Sequence, residues 1–219
     1  DSTGTDSTGT DSTGTDSTEA GATDADGTAP VVGTELSRAE IDRLAGDGYH
    51  VAFFDGVSHN SYYTSPAPAI GAPGGKFWVM PLADGAHVAN ASDAYRATGA
   101  SPGATRAYTG MHLDALGNPD PNNPVAPADR GLYALVFQPD AANPPVKPTT
   151  ADANGWPHFL ESDDPSAGHT AVLTGDGPNA GYLTNPHIRE FVIDGGDLIG
   201  PGSYIVRIED GAWITHRVF

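Results

Sequence analysis

The amino-acid sequence predicts a mainly β domain, an antiparallel β-sandwich or jelly-roll-like body with one or two short helices. Short segments of strand composition recur along the chain, and 28 glycines and 19 prolines separate them. The strongest local evidence is a C-terminal hairpin, in which segments 203–209 and 212–219 are joined by Asp210-Gly211, a dipeptide typical of type I′ turns. A small α+β domain, with its first helix packed on one sheet face, is the alternative.

Secondary-structure signals follow from turn residues, β-branched and aromatic content, and helix caps. Ser37 and Glu40 form a capping box that predicts a helix ending at Gly46, and a second short helix is expected from Ser92 to about Thr98. The predicted strands are Tyr49–Asp55, Ser61–Thr64, Lys76–Leu82, Thr105–His112, Gly131–Gln138, His169–Thr174, Ile188–Ile193, Ser203–Glu209 and Ala212–Phe219.

The N-terminal segment differs in composition from the rest of the chain. Residues 1–18 repeat Asp-Ser-Thr-Gly-Thr with a period of five, and residues 19–28 keep the same bias. Ordering such small polar residues would bury almost no apolar surface to offset the entropy cost. We therefore expect residues 1–28 to be a disordered spacer, and residues 29–219 to form a single β-rich globular domain. A neutral low-complexity expansion is the alternative for the repeat.

The charge is strongly negative, with a formal net charge of −18. The chain has 22 Asp and 6 Glu against two Lys and eight Arg. This balance is typical of proteins from extreme halophiles, and an acidic secreted protein from a GC-rich genome is the other interpretation. The electrostatic field of a protein with this much negative charge repels phosphate backbones, so nucleic acid is not an expected partner.

Cysteine is absent from the sequence, which excludes disulfides, zinc–cysteine sites and thiol nucleophiles. No apolar segment reaches the roughly 18 residues that a transmembrane helix needs. The chain begins at Asp1 without methionine, which fits the removal of a signal peptide or lipid anchor and equally an arbitrary start. We expect an extracellular, cell-surface or virion-surface location.

One loop has the spacing of a calcium ligand set. Asn118, Asp120 and Asn122 place oxygen ligands at alternate positions, and Asp129 falls at position 12 of the same register, where calcium loops place a carboxylate. Position 6 is Asn123 where glycine is usual, and prolines stiffen the loop. Turn formation by Asn, Asp and Pro is the alternative explanation. Calcium is the only cofactor that the sequence suggests.

Other candidate binding residues are weaker. Trp156 lies on a predicted loop and, with Tyr182, is the best candidate for a ligand-stacking platform. Asn90 begins an Asn-Ala-Ser glycosylation sequon. A denser group of potential metal ligands, explained equally well as solvated surface, comprises His158, Glu161, Asp163, Asp164 and His169.

Two catalytic patterns are also present. Ser101 lies in a G-x-S-x-G pattern, but the following Pro102 has no N–H for an oxyanion, so a Pro-Gly turn is the better interpretation. His59 could pair with Asp55 as an oriented base, although a turn leading into the predicted Ser61–Thr64 strand explains the same residues.

These observations favour a non-enzymatic extracellular structural or interaction module, displayed on a flexible acidic stalk at a cell, pilus or virion surface. Its expected partner is a protein, a glycan or further copies of itself. An extracellular glycan- or solute-binding protein is the first alternative, and a secreted metal-dependent hydrolase is the second.

Overall fold

The computed structural model describes residues 30–147 and 188–219, together with the backbone of residues 172–173 and 182–183. The predicted spacer, residues 1–28, lies outside the described residues. So do Trp156, most of the predicted strand His169–Thr174 and the ligand group from His158 to His169.

Ten strands and several short helices make up the described part of the chain, so the mainly β class is confirmed. The strands are β1 His50–Asp55, β2 Lys76–Pro81, β3 Met111–Leu113, β4 Pro119–Pro124, β5 Leu132–Phe137, β6 Val172–Leu173, β7 Tyr182–Leu183, β8 Phe191–Asp194, β9 Tyr204–Glu209 and β10 Ala212–Val218. The α-helices are α1 Arg38–Gly46, α2 Gly56–Ser58, α3 Leu82–Gly85, α4 Ala91–Ala97 and α5 Pro102–Thr109. A π-helical turn spans His59–Tyr63, and a 3₁₀ turn spans Pro127–Asp129.

Six strands form one antiparallel sheet in the order β10-β9-β5-β1-β2-β8. Strands β3 and β4 form a separate two-stranded sheet, and β6 pairs with β7 in another. Among the described residues, helices and loops cover the faces of the large sheet. The central strand β5 is buried at every residue, which explains why it reads as a continuous apolar segment.

Each face of the large sheet has its own hydrophobic cluster. On one face, Val51, Phe53 and Trp213 pack with residues of α1, α3, α4 and α5. On the other face, Ala52 and Phe54 pack with residues of the π turn and of the loops around 70 and 199. The period of two along β1 therefore directs alternate side chains into two different cores.

Several elements agree closely with the sequence predictions. Ser37 caps α1 by accepting a hydrogen bond from the Glu40 N–H, and α1 packs on one sheet face. The turn between β9 and β10 has positive φ at both Asp210 (49°) and Gly211 (87°), as a type I′ turn requires. The short helix predicted to end near Thr98 is observed as α4.

Two predicted strands are wrong. The segment Ser61–Thr64 lies largely in the π turn, because Asp55 caps a helical turn that continues into it. Most of Thr105–His112 is helix α5, which Ser101 caps and Pro102 begins, so the Pro-Gly turn expected there is also wrong. Within residues 30–147 and 188–219, no helix is long and apolar enough to cross a membrane.

Candidate functional site

The strands β1 and β2 separate soon after they pair, and this separation creates the candidate site. Strand β1 pairs with β5 along all six of its residues, but with β2 only at His50–Pro81 and Val51–Met80. The first four residues of β2 pair with β8 and have no partner in β1. A wedge-shaped gap therefore opens inside the sheet between Ala52–Asp55 and Lys76–Val79.

A cavity of about 610 Å³ occupies this gap. Its side walls are strands β1 and β2, and it extends to the π turn on one sheet face and to the α4–α5 connection on the other. Six aromatic residues contribute to the lining: Phe53, Phe54, Tyr62, Tyr63, Phe77 and Trp78. The volume and apolar lining are typical of pockets for small molecules.

Tyr63 is the most distinctive polar group of this cavity. Its side chain is 5% exposed and its ring packs against Phe54, with ring centroids 4.5 Å apart. Within the described part of the chain, the Tyr63 hydroxyl makes no hydrogen bond, and its oxygen is not fully enclosed by protein atoms. Burial, with a smaller contribution from Tyr62, raises the pKa of Tyr63 to about 12, so the phenol is a neutral donor at physiological pH.

The loop that carries Tyr63 is held in place by Arg217. Its guanidinium donates hydrogen bonds to the carbonyl oxygens of Tyr63 (2.7 Å), Ser65 (2.8 Å) and Pro66 (3.0 Å). The guanidinium also lies over the ring of Phe219, 4.4 Å from its centroid. The C-terminal strand β10 thus positions one wall of the cavity.

The next loop, residues 69–73, forms the adjacent wall. Ile70 exchanges backbone hydrogen bonds with residues 196 and 197, at 2.8 Å each, and the Ile199 N–H donates to the Pro68 carbonyl oxygen at 3.0 Å. Gly71 has φ +64° and lies against Phe77, so a side chain there would be strained and crowded. This wall is therefore tied to the loop that follows β8.

A buried ion pair supports the cavity from the end of β1. The Asp55 carboxylate accepts two hydrogen bonds from the Arg106 guanidinium, at 2.7 and 3.1 Å, and one from the Ser58 N–H. Arg106 also donates to the Ser58 hydroxyl, a lining group, at 3.1 Å. The suggested pairing of Asp55 with His59 is not observed, because Arg106 occupies the Asp55 carboxylate.

His59 instead belongs to an aromatic cluster beside the cavity. Its ring stacks on Tyr133 with centroids 4.3 Å apart and meets His216 edge-on at 4.8 Å. Its Nδ1 lies 2.9 Å from the Asn60 side-chain oxygen, and Asn60 donates to the Asp129 carboxylate at 2.7 Å. These contacts tie the π turn to the 3₁₀ turn.

Histidines lower the stability of this fold in acid. Burial, more than any other contribution, lowers the pKa of His50, and partial burial with the charges of His59 and Arg207 lowers that of His216. Their pKa values in the unfolded chain are about 6.5, so the unfolded state takes up these protons first as pH falls. Their contribution to stability is present above pH about 6.5 and is lost as pH falls through the folded values.

We therefore expect the free energy of unfolding to fall between pH of about 7 and 5, before most carboxylates titrate. Urea denaturation of the full chain across this range measures the slope. His50→Gln should flatten it, whereas His87→Gln, at an exposed imidazole, is the matched control. An unchanged slope in His50→Gln would contradict the assignment.

The four predicted calcium ligands do not form one described cluster. Asp120 and Asn122 lie on strand β4, where the Asp120 carboxylate accepts the Asn122 N–H at 2.9 Å. Asp129 lies on the 3₁₀ turn and bonds Asn60, while Asn118 precedes β4. Among residues 30–147 and 188–219, no group of three or more His, Asp or Glu is arranged to hold a metal ion. Calcium binding stays a prediction.

The remaining predicted residues have separate locations. Asn90 is exposed and caps α4 through its side-chain oxygen, which accepts the Asp93 N–H at 2.9 Å. Ser101 lines the cavity but serves as the cap of α5, with its hydroxyl donating to Thr98. The candidate contact Trp156 lies outside the described residues. Only the backbone of Tyr182, in β7, is described.

The residues that define the cavity carry no functional signal in the sequence. Tyr62, Tyr63, Phe77 and Trp78 all lie in segments that the sequence predicts as strands, where aromatic residues usually fill a core. Their only local signal is that both aromatic pairs lie beside loops rich in glycine and proline.

Comparison with family models, curated proteins and solved structures finds no match for this chain.

Proposed function

We propose that this protein is a non-enzymatic extracellular interaction module, displayed at a cell, pilus or virion surface by the acidic repeat of residues 1–28. The observation that carries the proposal is the chemistry of the cavity between β1 and β2, whose lining is largely apolar and includes aromatic residues. The buried ion pair beside this cavity, Asp55 with Arg106, already uses its charged groups to hydrogen-bond each other. A binding role needs an apolar surface, whereas hydrolysis would need free acids, bases or nucleophiles.

The charge distribution supports a surface location in a halophilic source. The chain carries −18 net charges, and its repeat adds an acid every five residues without any base. Like charges keep such a segment extended and solvated, which suits a spacer between the body and the surface that holds it. A protein, a glycan or a second copy of this chain is the proposed partner. Glycosylation at Asn90 and calcium binding near Asn118 belong to the same proposal.

The spacer role predicts the effect of deleting the repeat. A chain that starts at Ala29 should keep the thermal midpoint of the full chain, because the repeat contains no residue large enough to fill a core. On source cells or particles, antibody access to the body should fall. Immunogold labelling and antibody titration measure location and access.

A Gly-Ser segment of equal length is the matched control, since it restores reach without the acidic sequence. It should recover most of the access that the deletion removes. Diffuse secretion of the full chain, with no label on cells or particles, would overturn the proposal. Unchanged access after deletion would overturn the spacer role alone.

A solute-binding protein is the second candidate function. The cavity of about 610 Å³ favours it directly, because its size suits a small molecule. The two roles are compatible, since a displayed body can also hold a ligand.

A further inference from the structure

We propose that the cavity between β1 and β2 binds an uncharged, hydrocarbon-rich small molecule whose oxygen acceptor takes a hydrogen bond from the Tyr63 hydroxyl. This inference names the ligand class of the solute-binding candidate and rests on it. The walls of the cavity, the unpartnered hydroxyl of Tyr63 and the charges of the lining together define this ligand class.

The walls determine the body of the ligand. The gap is bordered by Phe53 and Phe54 of β1 and by Phe77 and Val79 of β2. Hydrocarbon in such a cavity gains from leaving water and from contact with aromatic faces. A strongly hydrated molecule such as a sugar would lose more hydrogen bonds with water than the lining replaces.

Tyr63 determines the polar group of the ligand. Most hydroxyls around the cavity already have partners: Ser101 bonds Thr98, and Thr98 donates to the Ala94 carbonyl oxygen. The Tyr63 hydroxyl has none among the described residues, and its neutral phenol keeps its proton at physiological pH. A donor without a protein partner beside an apolar lining favours a ligand with a carbonyl or ether oxygen.

The charged side chains of the lining exclude ions of either sign. Lys76 is the one basic residue in the described lining, and its ammonium group pairs with Asp194. Glu190 is the acidic one, and it already has an interaction partner. An ionic ligand would therefore leave water for an apolar lining that offers it no unpaired counter-charge. An uncharged ligand meets no such cost.

The test uses the full chain and prodan, an uncharged naphthalene ketone whose emission depends on polarity and on hydrogen bonding to its carbonyl. Saturable binding with an emission shift is expected. Tyr63→Phe removes only the hydroxyl and should weaken binding by about 3- to 10-fold, with emission moving to shorter wavelength. Tyr133→Phe, at a buried tyrosine outside the cavity lining, is the matched control and should leave both unchanged.

Filling the cavity gives a second, independent arm. Ala52→Leu places extra carbon atoms inside it and should abolish prodan binding, and Ala72→Phe at the exposed rim should do the same if the first variant fails to fold. Thermal unfolding of each variant verifies the fold. Prodan binding that is saturable in the full chain and lost in the cavity-filling variants would support the proposed site.

The outcomes separate the inference from the function on which it rests. Absence of prodan binding to the full chain, or binding that survives filling, would overturn both the ligand site and the solute-binding function. Saturable binding that is lost on filling, but is unchanged in affinity and emission by Tyr63→Phe, would overturn only the hydrogen-bonded ligand class. Equal weakening by Tyr133→Phe would do so as well.

Discussion

Replacing Arg106 by leucine is expected to lower the free energy of unfolding by about 3–5 kcal/mol, because it leaves the buried Asp55 carboxylate without its counter-charge. Only 1% of the Asp55 side chain is exposed, and both of its oxygens accept hydrogen bonds from Arg106. The remaining bond, from the Ser58 N–H, cannot neutralise the charge. Urea denaturation at neutral pH measures the loss.

The control for this prediction is an exposed ion pair of the same chemistry. Arg43 contacts Glu40 and Asp47 on the surface of α1, and Arg43→Leu should cost at most about 1 kcal/mol. The double variant Asp55→Leu/Arg106→Leu should be more stable than Arg106→Leu alone, since it removes the orphaned charge. A double variant that is less stable than the single one would show that the pair contributes through packing instead of charge.

Trp213→Ala is expected to lower the free energy of unfolding by about 3–5 kcal/mol, since it empties a large volume in the core under the helices. Trp213 is 2% exposed, and its ring meets Phe53 edge-on at 5.9 Å. Its indole N–H donates to the Val88 carbonyl oxygen at 2.9 Å, so truncation also removes the partner of that oxygen. Circular dichroism during urea denaturation measures the effect without relying on tryptophan emission.

Two variants bracket that result. Trp213→Phe keeps most of the ring and loses the hydrogen bond, so its cost should be smaller than that of Trp213→Ala. Tyr62→Ala, at a side chain that is 68% exposed, should change stability by no more than about 0.5 kcal/mol. Equal losses for Trp213→Ala and Tyr62→Ala would contradict the assignment of Trp213 to the core.

Local sequence signals succeeded where one short segment decides its own conformation. The Asp210-Gly211 turn, the Ser37 cap and the apolar strand β5 each depend on residues that are neighbours in the chain. Helix α5 could have been found in the same way, since Ser101 and Pro102 are a cap and a first-turn proline. The prediction of a strand over Thr105–His112 is wrong because the cap and the first-turn proline outweigh the strand composition of that segment.

The candidate site depends on contacts that no local pattern contains. Arg106 and Asp55 are 51 positions apart, and Arg217 holds a loop more than 150 positions earlier in the chain. The predicted calcium ligands show that regular spacing in the sequence does not by itself bring side chains together. Asp120 and Asn122 lie on strand β4, whereas Asp129 lies on the 3₁₀ turn and accepts a hydrogen bond from Asn60.

The sequence by itself determined the mainly β class and the position of the C-terminal hairpin, because alternation and turn chemistry are local properties. It also determined the absence of cysteine chemistry and the acidic character of the chain. Only the tertiary structure decided that β1 and β2 pair at no more than His50–Pro81 and Val51–Met80. That short pairing opens the cavity at Tyr63, and strand pairing between distant segments is set by packing of the whole sheet.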